Sequence, residues 1–134
     1  MIFVDTNIFL RFLLRDNEKQ YLEAKELFLR AARGEVELTT SLLVFFEIVW
    51  VLKSVYGKNK KELIKILRSL LHLNFLIKEK QLLLESLIIF QKENLSLEDC
   101  FNLKFAEERQ VKEFKTFDIK LKKEFEKIVG RKKS

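Results

Sequence analysis

The chain has 134 residues, 48% of them hydrophobic and 34% charged, with 26 Lys and Arg against 20 Asp and Glu. That length predicts one domain with a real core. No apolar run reaches the ~18 residues a membrane span needs. One cysteine, Cys100, and one histidine, His72, exclude an internal disulfide, a cysteine-based zinc site and any site built on two histidines. Met1 leads straight into Ile2-Phe3-Val4, without a basic stretch or a cleavage site, so no signal peptide is expected. A cytoplasmic protein is expected, with chemistry drawn from carboxylates, hydroxyls or cations.

The elements follow in chain order. Ile2-Phe3-Val4 is a short apolar run ending at Asp5, which predicts a buried strand. Ile8 to Leu14 predicts a short helix. Asp16 or Asn17 then caps a longer one to about Arg33, closed by Gly34. Val36 to Thr39 predicts a second strand. Ser41 opens a strongly apolar helix to about Tyr56, stopped at Gly57, and Asn59 caps the next, in which Leu63, Ile66, Leu67, Leu70 and Leu71 recur at helical spacing. Leu73 to Ile77 predicts a third strand and Lys80 to Glu93 a helix. Ser96 caps a helix to about Arg109, Glu113 to Phe117 predicts a fourth strand, and Asp118 heads a last helix to about Ile128. Strands alternating with helices predict an α/β fold with a parallel sheet covered on both faces.

Charge is unevenly placed. Residues 109–134 carry ten basic and four acidic side chains, so the whole net charge of +6 sits there, with Lys120, Lys122, Lys123, Lys127, Arg131, Lys132 and Lys133 at its centre. The segment reads either as a solvated helix face with a basic tail from about residue 128, or as an electrostatic footprint for nucleic acid. The acids are uneven too: 16 Glu but only four Asp, namely Asp5, Asp16, Asp99 and Asp118.

In parallel α/β sheets, sites form beyond the carboxyl ends of the strands. Asp5 ends the first predicted strand and Asp118 the fourth, although each can equally cap the helix that follows it. Glu47 is the sole charge in Leu42 to Leu52. An unpaired buried carboxylate costs many kcal/mol unless compensated, so Glu47 is either one exposed residue on a mostly buried helix or part of a site. Asp99 follows Ser96 at capping-box spacing, and the first turn of a helix can also face a site at the strand ends. Carboxylates gathered at one sheet edge need a compensating cation, and all-oxygen ligands select Mg²⁺ or Mn²⁺. Such cations suit phosphodiester hydrolysis, and the basic segment suits a polyphosphate backbone.

Four segments resemble, in order, the acidic blocks of PIN-domain nucleases: Val4-Asp5-Thr6-Asn7-Ile8-Phe9-Leu10, Phe46-Glu47-Ile48-Val49-Trp50-Val51-Leu52, Ser96-Leu97-Glu98-Asp99-Cys100-Phe101 and Lys115-Thr116-Phe117-Asp118. The length is similar to that of the VapC-like toxins of toxin–antitoxin pairs. The resemblance implies an α/β/α three-layer sandwich with a small parallel sheet, formed by a single domain over 1–134. It implies Mg²⁺- or Mn²⁺-dependent endoribonuclease activity, with Asp5, Glu47, Asp99 and Asp118 in the metal-binding pocket and Asn7 and Thr116 supporting it. It also implies a homodimer and a small antitoxin partner. Where many relatives carry a glycine ahead of the last acidic block, this chain has Arg109-Gln110-Val111-Lys112. Arg11, Arg15, Lys120 and Lys123 are candidate phosphate contacts. A catalytically silent RNA- or protein-binding module and a structure-specific DNA nuclease are the competing readings. His72 reads as a helix end, Cys100 as a small buried hydrophobe, Trp50 as core, and the 13 phenylalanines as core with a few at a dimer surface.

Overall fold

The structure, a computed structural model, describes residues 1–133, with side chains described through residue 130. Arg131, Lys132 and Lys133 of the basic tail therefore have side chains outside the described residues, as does Ser134. The described chain forms two compact units, Met1–Lys80 and Gln81 onward.

The first unit is built on β1 (Ile2–Phe3) and β2 (Leu38–Thr39), which run parallel with Ile2 opposite Leu38 and Phe3 opposite Thr39. The ladder extends one residue further. The Val4 N–H donates to the Thr39 carbonyl at 2.8 Å, and the Thr40 hydroxyl donates to the Val4 carbonyl at 2.8 Å. The α/β class with a small parallel sheet is thus the one expected.

The third predicted strand, Leu73 to Ile77, shrinks to a single parallel bridge between Thr39 and Leu76. The Leu76 N–H donates to the Leu38 carbonyl at 2.7 Å, and Leu76 itself is exposed, so nothing propagates the pairing. Residues 113–117 form no strand among the described residues. Glu113 and Lys115 are both exposed and pair with each other at 2.8 Å, and Phe114 alone finds an apolar partner, Phe125. A ladder needs a partner strand as well as a suitable sequence, and this segment has none within its unit.

Helices are set by local chemistry and fall close to expectation. In the first unit, α1 is Thr6–Leu14, α2 Glu18–Ala32, α3 Leu42–Ser54 and α4 Lys60–Leu71. Asn17 caps α2 by accepting from the Gln20 N–H, and Ser41 caps α3 by accepting from the Val44 N–H. Asn59 and Glu62 form a full capping box on α4. Gly34, just past α2, takes φ +75°, a conformation that suits glycine. α1 packs on α2 and α3, and α3 on α4. Phe9, Leu38, Phe45, Ile48, Leu52, Leu63 and Leu67 are fully buried. His72 caps the end of α4, as its position predicts.

The second unit holds α5 (Lys80–Lys92), α6 (Leu97–Glu108) and α7 (Ile119–Lys133), with α6 packed on α7. The last helix continues beyond Ile128, where the sequence suggests an end. Ser96 caps α6 by accepting from the Asp99 N–H. Leu83, Leu87, Leu97, Cys100 and Leu103 are fully buried, so Cys100 is the small hydrophobe it reads as.

One side chain departs from expectation. Trp50 is 62% exposed and is not core. Helix α3 is apolar nearly all round, so its sequence has no stripe to say which face turns inward. Val44, Phe45, Ile48, Val49 and Leu52 take the inner face and leave Leu43, Glu47 and Trp50 outside. Among the phenylalanines, Phe3, Phe105 and Phe117 are exposed.

Candidate active site

Asp5 stands one residue past the end of the β1 ladder, at the carboxyl end of the strand, and heads α1. It occupies the N-cap position with an extended backbone, yet its side chain makes no capping bond. The exposed carboxylate is therefore not spent on the helix. Asn7, on the first turn of α1, is also exposed and makes no side-chain hydrogen bond among the described residues.

Thr6, between them, is buried at 4% exposure, and its hydroxyl donates to Glu47 Oε2 at 3.0 Å. This bond joins the head of α1 to the middle of α3. Glu47 lies on the exposed side of α3, so its charge needs no burial compensation, and the bond orients the carboxylate instead. The structure thus brings Glu47 to the residue adjoining Asp5. Sequence reasoning missed Thr6, whose one signal was its place beside a strand-end acid.

In the second unit, Asp99 lies in the first turn of α6, half-buried. Its backbone takes part in the Ser96 cap, but its carboxylate does not close the box back onto the helix start. Among the described residues that carboxylate has no hydrogen-bond or ion-pair partner. Asp118 does cap: Oδ1 accepts from the Leu121 N–H at 3.1 Å. Thr116 supports it, its hydroxyl oxygen accepting from the Asp118 N–H at 3.0 Å. Asp118 is thus held by a cap and a turn and not by the end of a strand.

The candidate phosphate contacts differ in availability. Arg11 is committed to Asp16, with Nη1 2.6 Å from both carboxylate oxygens. That bond, and the charge beside it, holds the Asp16 carboxyl below the usual range and raises Arg11. Arg15 lays its guanidinium over the Tyr21 ring at 4.3 Å. Lys120 donates to the Asn94 carbonyl at 2.7 Å. Lys123 is exposed, with no ion-pair partner among the described residues.

Asp5 and Glu47 in one unit, and Asp99 and Asp118 in the other, are all carboxylate donors, a chemistry that fits a hard divalent cation. Among the described residues, no three His, Cys, Asp or Glu side chains stand together as a ready metal site. No helix among these residues is long and apolar enough to cross a membrane.

The parallel sheet carries a free carboxylate past its first strand, and further acids stand at the N-terminal ends of α6 and α7. The match is to a named family: the PIN domain family model covers residues 2–125, and the chain belongs to that family. PIN domains are generally metal-dependent nucleases. No curated protein and no solved structure matches the chain significantly.

Proposed function

We propose that this PIN domain is a Mg²⁺- or Mn²⁺-dependent endoribonuclease that hydrolyses RNA phosphodiester bonds, with Asp5, Glu47, Asp99 and Asp118 holding the cation. The observation that carries the reading is the uncommitted Asp5 carboxylate at the end of β1, beside the Thr6–Glu47 hydrogen bond. When bound, such a cation polarises the phosphoryl oxygen and makes water a better nucleophile near neutral pH. The chain's own residues do the rest. Thr6 fixes the Glu47 carboxylate, and Thr116 fixes the backbone at Asp118. Asn7 supports the pocket. Lys120 and Lys123 hold phosphates, while Arg15, at the end of α1, is better placed than Arg11, because Arg11 is neutralised by Asp16.

The size of the chain and the order of its acidic blocks support a VapC-like toxin acting in the cytoplasm, as a homodimer held in check by a small antitoxin. Growth arrest on expression, relieved by the protein of a neighbouring short reading frame, tests that role. Expression that leaves growth untouched counts against it.

The chemistry is tested by incubating purified protein with total cellular RNA and Mg²⁺ or Mn²⁺, alongside EDTA and Asp5→Asn controls. Discrete fragments that vanish in both controls are expected. Full activity in folded Asp5→Asn removes the mechanism. Preference for flap or duplex DNA over single-stranded RNA replaces ribonuclease by DNA nuclease. Because Asp118 is engaged in capping α7, a silent RNA-binding module is the second reading, and it predicts RNA retention indifferent to chelator.

A further inference from the structure

Phe117 is fully exposed, although it sits inside a well-anchored turn. Phe114 packs on Phe125 at 5.2 Å on one side of it, and the Thr116–Asp118 bond and the Asp118 cap fix the backbone on the other. The ring touches no other ring and no cation among the described residues. Single exposed apolar residues are common. Here the exposure is complete, the backbone is held, and the next residue is a candidate catalytic acid. The neighbouring face of α7 continues the same surface. Ile119 is 71% exposed, and Lys122 and Lys123 follow it at i+3 and i+4, so the three share one side of the helix. Both lysines are exposed and carry no ion-pair partner among the described residues.

An apolar surface meant for a protein partner is depleted in lysine at its centre. A held aromatic ring bordered by free cations, in the segment that carries all of the chain's net charge, has instead the composition of a single-strand platform, on which a base stacks while cations track the backbone. We propose that Phe117 is a stacking platform for an unpaired RNA base and that Lys122 and Lys123 hold the adjoining phosphates. The platform is a binding and positioning element beside Asp118. It rests on the ribonuclease reading for its role, but not for its test.

The test is binding of a short fluorescein-labelled single-stranded RNA in EDTA, where no cleavage intervenes. Phe117→Ala should weaken binding about 5- to 150-fold, the loss expected when a stacking aromatic is truncated, and Phe117→Trp should retain it. The slope of log affinity against log salt should not change in Phe117→Ala, since no phosphate contact is removed. It should fall by about 1.4 in the Lys122→Ala, Lys123→Ala double variant, two single-strand phosphate contacts being lost. A ribose-phosphate chain lacking bases should bind wild type and Phe117→Ala alike. Equal affinity of wild type and Phe117→Ala for intact RNA overturns the platform, as does no RNA binding by wild type, or an equal loss with the abasic chain. A separate Mn²⁺ cleavage assay keeps the two ideas apart. Cleavage that depends on Asp5 with no effect of Phe117 on binding defeats the platform alone. Phe117-dependent binding with no cleavage defeats the nuclease reading alone.

Discussion

Thr6 does for Glu47 what a local cap does for a helix: it fixes one oxygen of a charged group with a hydroxyl that is itself immobile. Thr6→Val keeps the shape and deletes the donor. A hydrogen bond of this kind contributes about 1 kcal/mol, so the melting midpoint should fall by about 4 °C. Metal-dependent cleavage should fall more than the stability does, because Glu47 loses its orientation. An unchanged midpoint and unchanged cleavage would remove Thr6 from the site. Asp16 gives a prediction with a pH sign. Its carboxyl is held low, first by the Arg11 hydrogen bond. A depressed carboxylate stabilises the fold above the unfolded-state value of about 3.9, and that contribution disappears as pH falls through the lower folded value. The melting-point gap between wild type and Asp16→Asn should therefore be present at pH 7 and close in acid. A gap that stays constant into acid would show the pair to be irrelevant. At this scale the sequence was informative wherever a residue's role depends on its chain neighbours. Asp5 after an apolar run is legible. Whether its carboxylate caps or stays free is decided by geometry, and so is the distant partner of Thr6, 41 positions away.

Among the elements, helix starts were the most readable, because Asn17, Ser41, Asn59 and Ser96 each satisfy N–H groups within three residues. Strands were the least readable. Residues 73–77 and 113–117 have the length and composition of strands, but pairing is non-local, and the first yields one bridge and the second none. The orientation of α3 was illegible for a related reason: a helix apolar on every side is oriented by what packs against it. Its outer face carries Leu43 at 82% and Trp50 at 62% exposure. Trp50 is the chain's one tryptophan, so fluorescence reads this face alone. If α3 supplies the proposed dimer contact, emission should be water-like in dilute protein and move to the blue as sedimentation detects dimer. Water-like emission in a dimeric sample would place the contact elsewhere. The turn after α6 offers a second test. Gln110 holds φ +55°, and a left-handed backbone costs a non-glycine residue about 1–2 kcal/mol. Part of that is offset by the greater unfolded-state entropy of glycine. Gln110→Gly should raise the melting midpoint modestly and the β-branched Gln110→Val should lower it. The opposite order would show the turn to be relaxed as it stands.

For the molecule as a whole, membership of the PIN domain family over residues 2–125 joins two observations that composition alone left separate. Four acids divide between the two units, Asp5 and Glu47 in one, Asp99 and Asp118 in the other. The net positive charge lies within the second unit's sequence. The ordering of the acidic blocks was legible because the family pattern is written along the chain. What they hold was not, since a cation's ligands are chosen by position in space, and separations of tens of residues form no local motif. The central claim is that these carboxylates hold a divalent cation needed for cleavage. It is tested most directly by calorimetric titration of Mn²⁺ into wild type, Asp5→Asn and Asp99→Asn, each shown to be folded by circular dichroism. Saturable binding by wild type that is lost in both variants is the predicted result. Unchanged Mn²⁺ binding in the two folded variants would contradict the claim.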